Sequence, residues 1–121
     1  MSERVLLQNG IIFQVAGKDG ITLKSLEEDL VTLMEIQVEL KSKNLPVYLL
    51  FDANNAKSPD SEIRMQAIRN MKKLDYVKAA VVGIDSVYLK YIANFIIAGI
   101  GKQGKIKIFD SKEAAEKWLR S

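Results

Sequence analysis

The 121-residue sequence contains no cysteine and no histidine. The first absence excludes disulfides and thiolate catalysis. The second removes most catalytic zinc sites, the Ser-His triads and the usual neutral-pH acid-base group. Carboxylates, lysines and tyrosines remain. The expected role is therefore binding or regulation rather than catalysis, with no catalytic residue, metal or cofactor assigned. Proline occurs only twice, and no apolar run reaches the roughly 20 residues that span a bilayer. The opening Met1, Ser2, Glu3 and Arg4 lead into a short apolar run cut by Asn9-Gly10, without a signal-peptide pattern. A cytoplasmic location with no transmembrane segment is expected.

What is present fits one ordinary domain: 48% of residues are hydrophobic and 27% charged. The formal net charge is +3. The lysines are scattered, with Lys72-Lys73 the densest pair, so no basic face is built and nucleic acid is not an expected partner.

Along the chain, Arg4 to Gln8 and Ile11 to Val15 are β-prone runs joined by Asn9-Gly10, which reads as a hairpin. Gly17 to Gly20 closes that unit. Ser25 to Lys43 predicts a helix, with Ser25 and Glu28 as a capping box, Glu27 and Asp29 in the first turn, and Leu26, Leu30, Leu33, Met34 and Leu40 as its apolar side. Val47 to Phe51, ending at Asp52, reads as a strand covered on both faces. Ser58-Pro59 reads as N-cap and first helical residue of a helix whose stripe is Ile63, Ala67, Ile68, Met71 and Leu74. Ala79 to Ile84 predicts a strand, Val87 to Ile100 a helix, Ile106 to Phe109 a strand, and Ser111 caps a last helix held by Trp118. A hairpin followed by alternating helices and strands predicts an α/β domain: a mixed, mostly parallel sheet of about five strands with helices on both faces.

This order of elements resembles the STAS fold of anti-sigma-factor antagonists (the SpoIIAA-like group) and the small STAS/SEC14-like bacterial proteins. The segments that carry the resemblance are Val47 to Asp52, Ala79 to Gly83, Leu89 to Phe95 and Ile108 to Leu119. The resemblance implies a single protein-binding module over the whole chain. In those antagonists a strand-end Asp leads to an Asp-Ser-Ser-Gly turn whose second serine is phosphorylated. An ungapped match puts Asp52 on the strand-end Asp, Asp60 on the turn Asp and Ser61 on the first serine. Glu62 then falls on the phosphorylated position and Ile63 on the glycine, so the usual phosphoserine switch is not expected; a one-residue shift would make Ser61 the acceptor.

Two regions stand out as candidate sites. The first is the loop and helix start comprising Asp52, Asn54, Asn55, Ser58, Asp60, Ser61 and Glu62. It lies beyond a strand's C-terminal end, where open α/β sheets bind ligands, and at a helix N-terminus, which favours anions. Ser58 is read either as a plain cap or as part of a switch. The Asp and Asn oxygens are read either as a cation site or as a loop bonding its own backbone. The second is the helix Val87 to Ile100, where Tyr88, Tyr91, Ile92, Phe95, Ile96, Ile97 and Ile100 cover more circumference than packing on a sheet needs. Either neighbouring helices cover this surface or a partner does: a homodimer, another protein, or an apolar or lipid ligand. A literal G-x-G-x-x-G from Gly99 to Gly104 follows a helix rather than a strand, so it reads as a C-cap and not a nucleotide loop.

Overall fold

The computed structural model describes residues 2–54, 56–101 and 104–121. It contains β1 (Val5–Gln8), β2 (Ile11–Val15), α1 (Leu23–Ser42), β3 (Tyr48–Asp52), α2 (Ser61–Lys73), β4 (Lys78–Val82), α3 (Val87–Ile100), β5 (Ile106–Ile108) and α4 (Lys112–Leu119). The five strands form one sheet in chain order, β1 antiparallel to β2 and the rest parallel. The expected α/β class and mixed five-stranded sheet are what the structure has. At the hairpin, Asn9 and Gly10 both take positive φ, 53° and 81°, as a tight two-residue turn requires.

Each parallel strand pairs with the next in sequence, always moving the same way across the sheet. Right-handed crossovers then place α1, α2 and α3 on one face. Leu33, Ile36 and Leu40 of α1, Ile68 of α2 and Ile100 of α3 pack there on Ile12, Leu49, Ala79 and Ile106. The chain turns after β5 and lays α4 on the opposite face, where Ala115 and Leu119 cover Ile11, Leu50, Ala80 and Val82. Ala115 is small and fully buried in this cluster, which lets the short helix sit close to the sheet. Lys78 Nζ bonds the Trp118 carbonyl at 2.9 Å and fixes its C-terminal end. Trp118 itself stacks at a tilt on Phe109, with ring centroids 5.3 Å apart.

Three local expectations change. The capping box of α1 is Thr22 with Ser25, not Ser25 with Glu28, so the helix begins earlier and its first turn holds no acid. Asp60, not Ser58, caps α2, its Oδ1 accepting from the Ile63 amide at 3.0 Å. An Asp side chain reaches the third amide as well as a serine does, and it stands directly at the helix start. Met34 is exposed, and Ile36 takes its place in the core.

The parallel strands β2 to β5 run in unbroken order, so the sheet has no switch point of the kind that places crevices in doubly wound folds.

Candidate functional site: a cavity beneath three helices

Successive cross-strand rows on the helix-covered face of the sheet differ sharply. The row Ile12, Leu49, Ala79 and Ile106 is buried, at 1%, 7%, 3% and 7% exposure. The next row on the same face, Gln14, Phe51, Val81 and Ile108, is only half-buried, although Phe51 and Val81 lie on the two central strands of the parallel set. Helices do not close over it. A cavity of about 190 Å³ fills the gap.

Its walls are apolar below. Leu33, Leu74 and Ile100 line its inner end, and Leu30, Ala67, Ala93, Ile96 and Ile97 line the helix side. Ala67 and Ala93 are small, so α2 and α3 stand over the sheet without filling the space. The two helices are held to each other at Gly99, where a Cβ would come within 2.6 Å of Ile68 Cδ1.

Polar groups gather towards the strands' C-terminal ends, where Ala53, Ala56, Lys57 and Pro59 line the opening. Asp29, 4% exposed, accepts from Arg4 Nε at 3.1 Å, Gln14 Nε2 at 3.1 Å and Ser2 Oγ. Ser2 also donates its amide to Thr32 Oγ1 at 2.9 Å. Arg4 Nη2 reaches Glu28 at 2.8 Å. The bond to Glu28 holds the Arg4 pKa above its ordinary value against partial desolvation, and Asp29 adds to it. Asn70 donates to the Leu26 carbonyl at 3.2 Å and accepts from Gln66 at 2.7 Å. Lys57 is different. It is exposed, its amide nitrogen would lie 3.6 Å from a Cβ added at Gly20, and it has no ion pair among the described residues.

The predicted site residues fall into separate places. Asp52 ends β3 and its Oδ1 accepts from the Asn54 amide at 2.9 Å, which is the self-bonded loop. Gly83 presses on this loop from the end of β4. Asn55 lies outside the described residues. Ser58, Ser61 and Glu62 are exposed, and Ser58 Oγ lies 3.4 Å from the Tyr88 hydroxyl. The α3 group splits in two. Ile92 and Ile100 are buried and, with half-buried Ile96 and Ile97, face the cavity, whereas Tyr88, Tyr91 and Phe95 face solvent at 61%, 71% and 53%. Arg64 of α2 sits 6.0 Å from the Phe95 ring. The glycine-rich run includes Lys102 and Gln103, which lie outside the described residues; Gly101 ends α3 in the left-handed conformation.

The cavity and the Asp29 cluster escaped the sequence reading. Asp29 is legible as a charge on an otherwise apolar helical side, beside Leu26, Leu30 and Leu33, although its expected place in the first turn of α1 conceals it. The cavity had only a faint sign, the alanines at 67 and 93 on inward positions.

A family profile described as "Domain of unknown function (DUF7793)" matches residues 5–121. The chain belongs to this family. The match overturns the resemblance to STAS proteins, which rested on element order and on strand and helix patterns that many α/β domains share. The kinase-switch expectations that came with it have no further support. No curated protein matches the chain. No helix among the described residues is long and apolar enough to cross a membrane.

Proposed function

We propose that this DUF7793 domain is a non-enzymatic binding module that takes a small apolar molecule into the cavity between its sheet and α1–α3. The observation that carries this reading is the pair of adjacent rows on one sheet face, one closed and one half-open above the same core. Apolar space of this size is costly to leave empty, because its lining loses dispersion contacts. A void of about 150 Å³ lined by aliphatic groups stays dry and takes up benzene, so 190 Å³ is adequate for a ligand of about eight carbons. The test is titration of the isotope-labelled protein with 1-octanol, followed through the methyl resonances of Leu30, Ile96 and Ile97. Saturable shifts confined to cavity residues are expected; no shift up to the solubility limit would rule the reading out.

A second reading, self-association, is favoured by the outward row Tyr88, Tyr91 and Phe95 on α3. Met65 of α2 is exposed as well, at 44%. Tyrosine, phenylalanine and methionine are the types enriched at interfaces. Sedimentation over a concentration series tests it, and a monomer at every concentration would remove it.

A further inference from the structure

We infer that the ligand is a monoanionic amphiphile, a medium-chain carboxylate whose chain lies in the cavity and whose head group meets Lys57 at the rim. The inference rests on the cavity being a ligand site and adds the ligand's chemical class.

Three observations lead to it. The lining is mixed: Leu33, Leu74 and Ile100 are aliphatic, while Arg4, Gln14, Asp29, Asn70 and Lys57 are polar. An amphiphilic ligand would meet both kinds of wall. The charges at the opening are not equivalent. Arg4 is committed to Glu28 and Asp29, and Asp29 is occupied by Ser2, Arg4 and Gln14. Arg4 shares its one positive charge between these two carboxylates, so the cluster offers a ligand no free cation. Lys57 has no carboxylate against it among the described residues. Its backbone passes beside Gly20 at the rim. Lysine offers a point charge with three donors, suited to a carboxylate arriving from solvent. Volume sets the chain length: about eight carbons fill the apolar part.

The experiment compares octanoate with 1-octanol at neutral pH on wild-type protein and on Lys57→Met, by the same methyl-resonance titration. The wild type is expected to bind octanoate about threefold to fivefold more tightly than octanol, the advantage of one solvent-screened ion pair. Lys57→Met removes that advantage and leaves octanol binding unchanged. Raising the salt concentration erodes the octanoate advantage in the wild type only. Octanol binding with octanoate equal or weaker, and no effect of Lys57→Met on their ratio, overturns the inference while leaving the cavity a ligand site. Failure of both compounds to bind removes the cavity reading and the inference together.

Discussion

Arg4 Nε lies 3.1 Å from Asp29 Oδ1, and this contact ties the strand that opens the sheet to the first turns of α1. Asp29 is almost completely buried, and it takes two further donors from Ser2 and Gln14. Removing the carboxylate strands all three donors and leaves a guanidinium partly desolvated. Asp29→Ala is expected to cost about 2–4 kcal/mol in urea unfolding. Glu28→Ala, which removes only an exposed partner of the same arginine, should cost less than about 1 kcal/mol. Equal losses from both would mean that Asp29 is not the centre of the cluster.

Gly83 takes φ of +83°, and a Cβ there would lie 2.7 Å from Asp52 Oδ1 and 2.8 Å from the Asn54 amide. Both the conformation and the space demand glycine. Gly83→Ala should lose about 2–3 kcal/mol and move the Asp52–Asn54 amide resonances. Gly10, also at positive φ but with open space around it, supplies the contrast: Gly10→Ala meets only the backbone penalty of about 1 kcal/mol. A Gly83→Ala protein as stable as the wild type would show that the β3 and β4 ends do not approach this closely.

Much of this architecture was legible because its signals are local. Asn9-Gly10 demands two positive φ values, and α3 begins and ends where its apolar run does. Caps were less legible because two side chains compete for the same amides. Ser58-Pro59 looks like a helix start, yet Asp60 captures the Ile63 amide, and Thr22 with Ser25 forms the box that Ser25 with Glu28 was expected to form. The width of the apolar surface on α3 was legible, but its division was not. Ile92, Ile96 and Ile97 turn inward to a space that periodicity does not reveal, since a pattern of apolar positions says which way a side chain points and not whether anything fills the gap opposite. Alanines 67 and 93 decide that, and in sequence they look like ordinary helix formers.

The outward row on α3 separates stability from association. Tyr91 is 71% exposed, so Tyr91→Glu is expected to change unfolding free energy by no more than about 0.5 kcal/mol. If the domain self-associates through this face, the same substitution weakens the dimer by at least tenfold in sedimentation, because it sets a charge in the row of Tyr88 and Phe95. Ile97 would be a poor choice for this test, since it faces the cavity and a charge there would damage the fold itself. An unchanged association constant for Tyr91→Glu would exclude this face.

Tyr76 is 2% exposed, and burial pushes its phenol up to about 12 from an ordinary value of 10. The protonated form is the one the fold favours. Its contribution is therefore complete below pH 10, where the unfolded chain also holds the proton, and is lost as pH rises from 10 through 12. Tyr76→Phe lacks this titration. The stability difference between the two proteins should be flat from pH 7 to 9 and then move against the wild type by roughly 1–2 kcal/mol towards pH 12. Lysines titrate in the same range but are common to both proteins and cancel in the difference. Parallel pH curves would show that the phenol ionises as freely in the folded state as in the unfolded one.

Filling the cavity distinguishes a binding site from a packing fault. Ala93 lines the helix side of the cavity from α3, and Ala67 does so from α2. Leucine at either position adds apolar volume where the wall now lacks neighbours, so Ala93→Leu is expected to raise unfolding free energy by up to about 2 kcal/mol. In the same protein, affinity for octanol should fall more than tenfold, because the added side chain occupies the ligand's space. A gain in stability bought at the loss of binding is the signature of space retained for a ligand. A leucine that destabilises the fold by 1 kcal/mol or more would show instead that α2 and α3 already close over the sheet, and that the half-open row at Phe51 and Val81 is filled in solution.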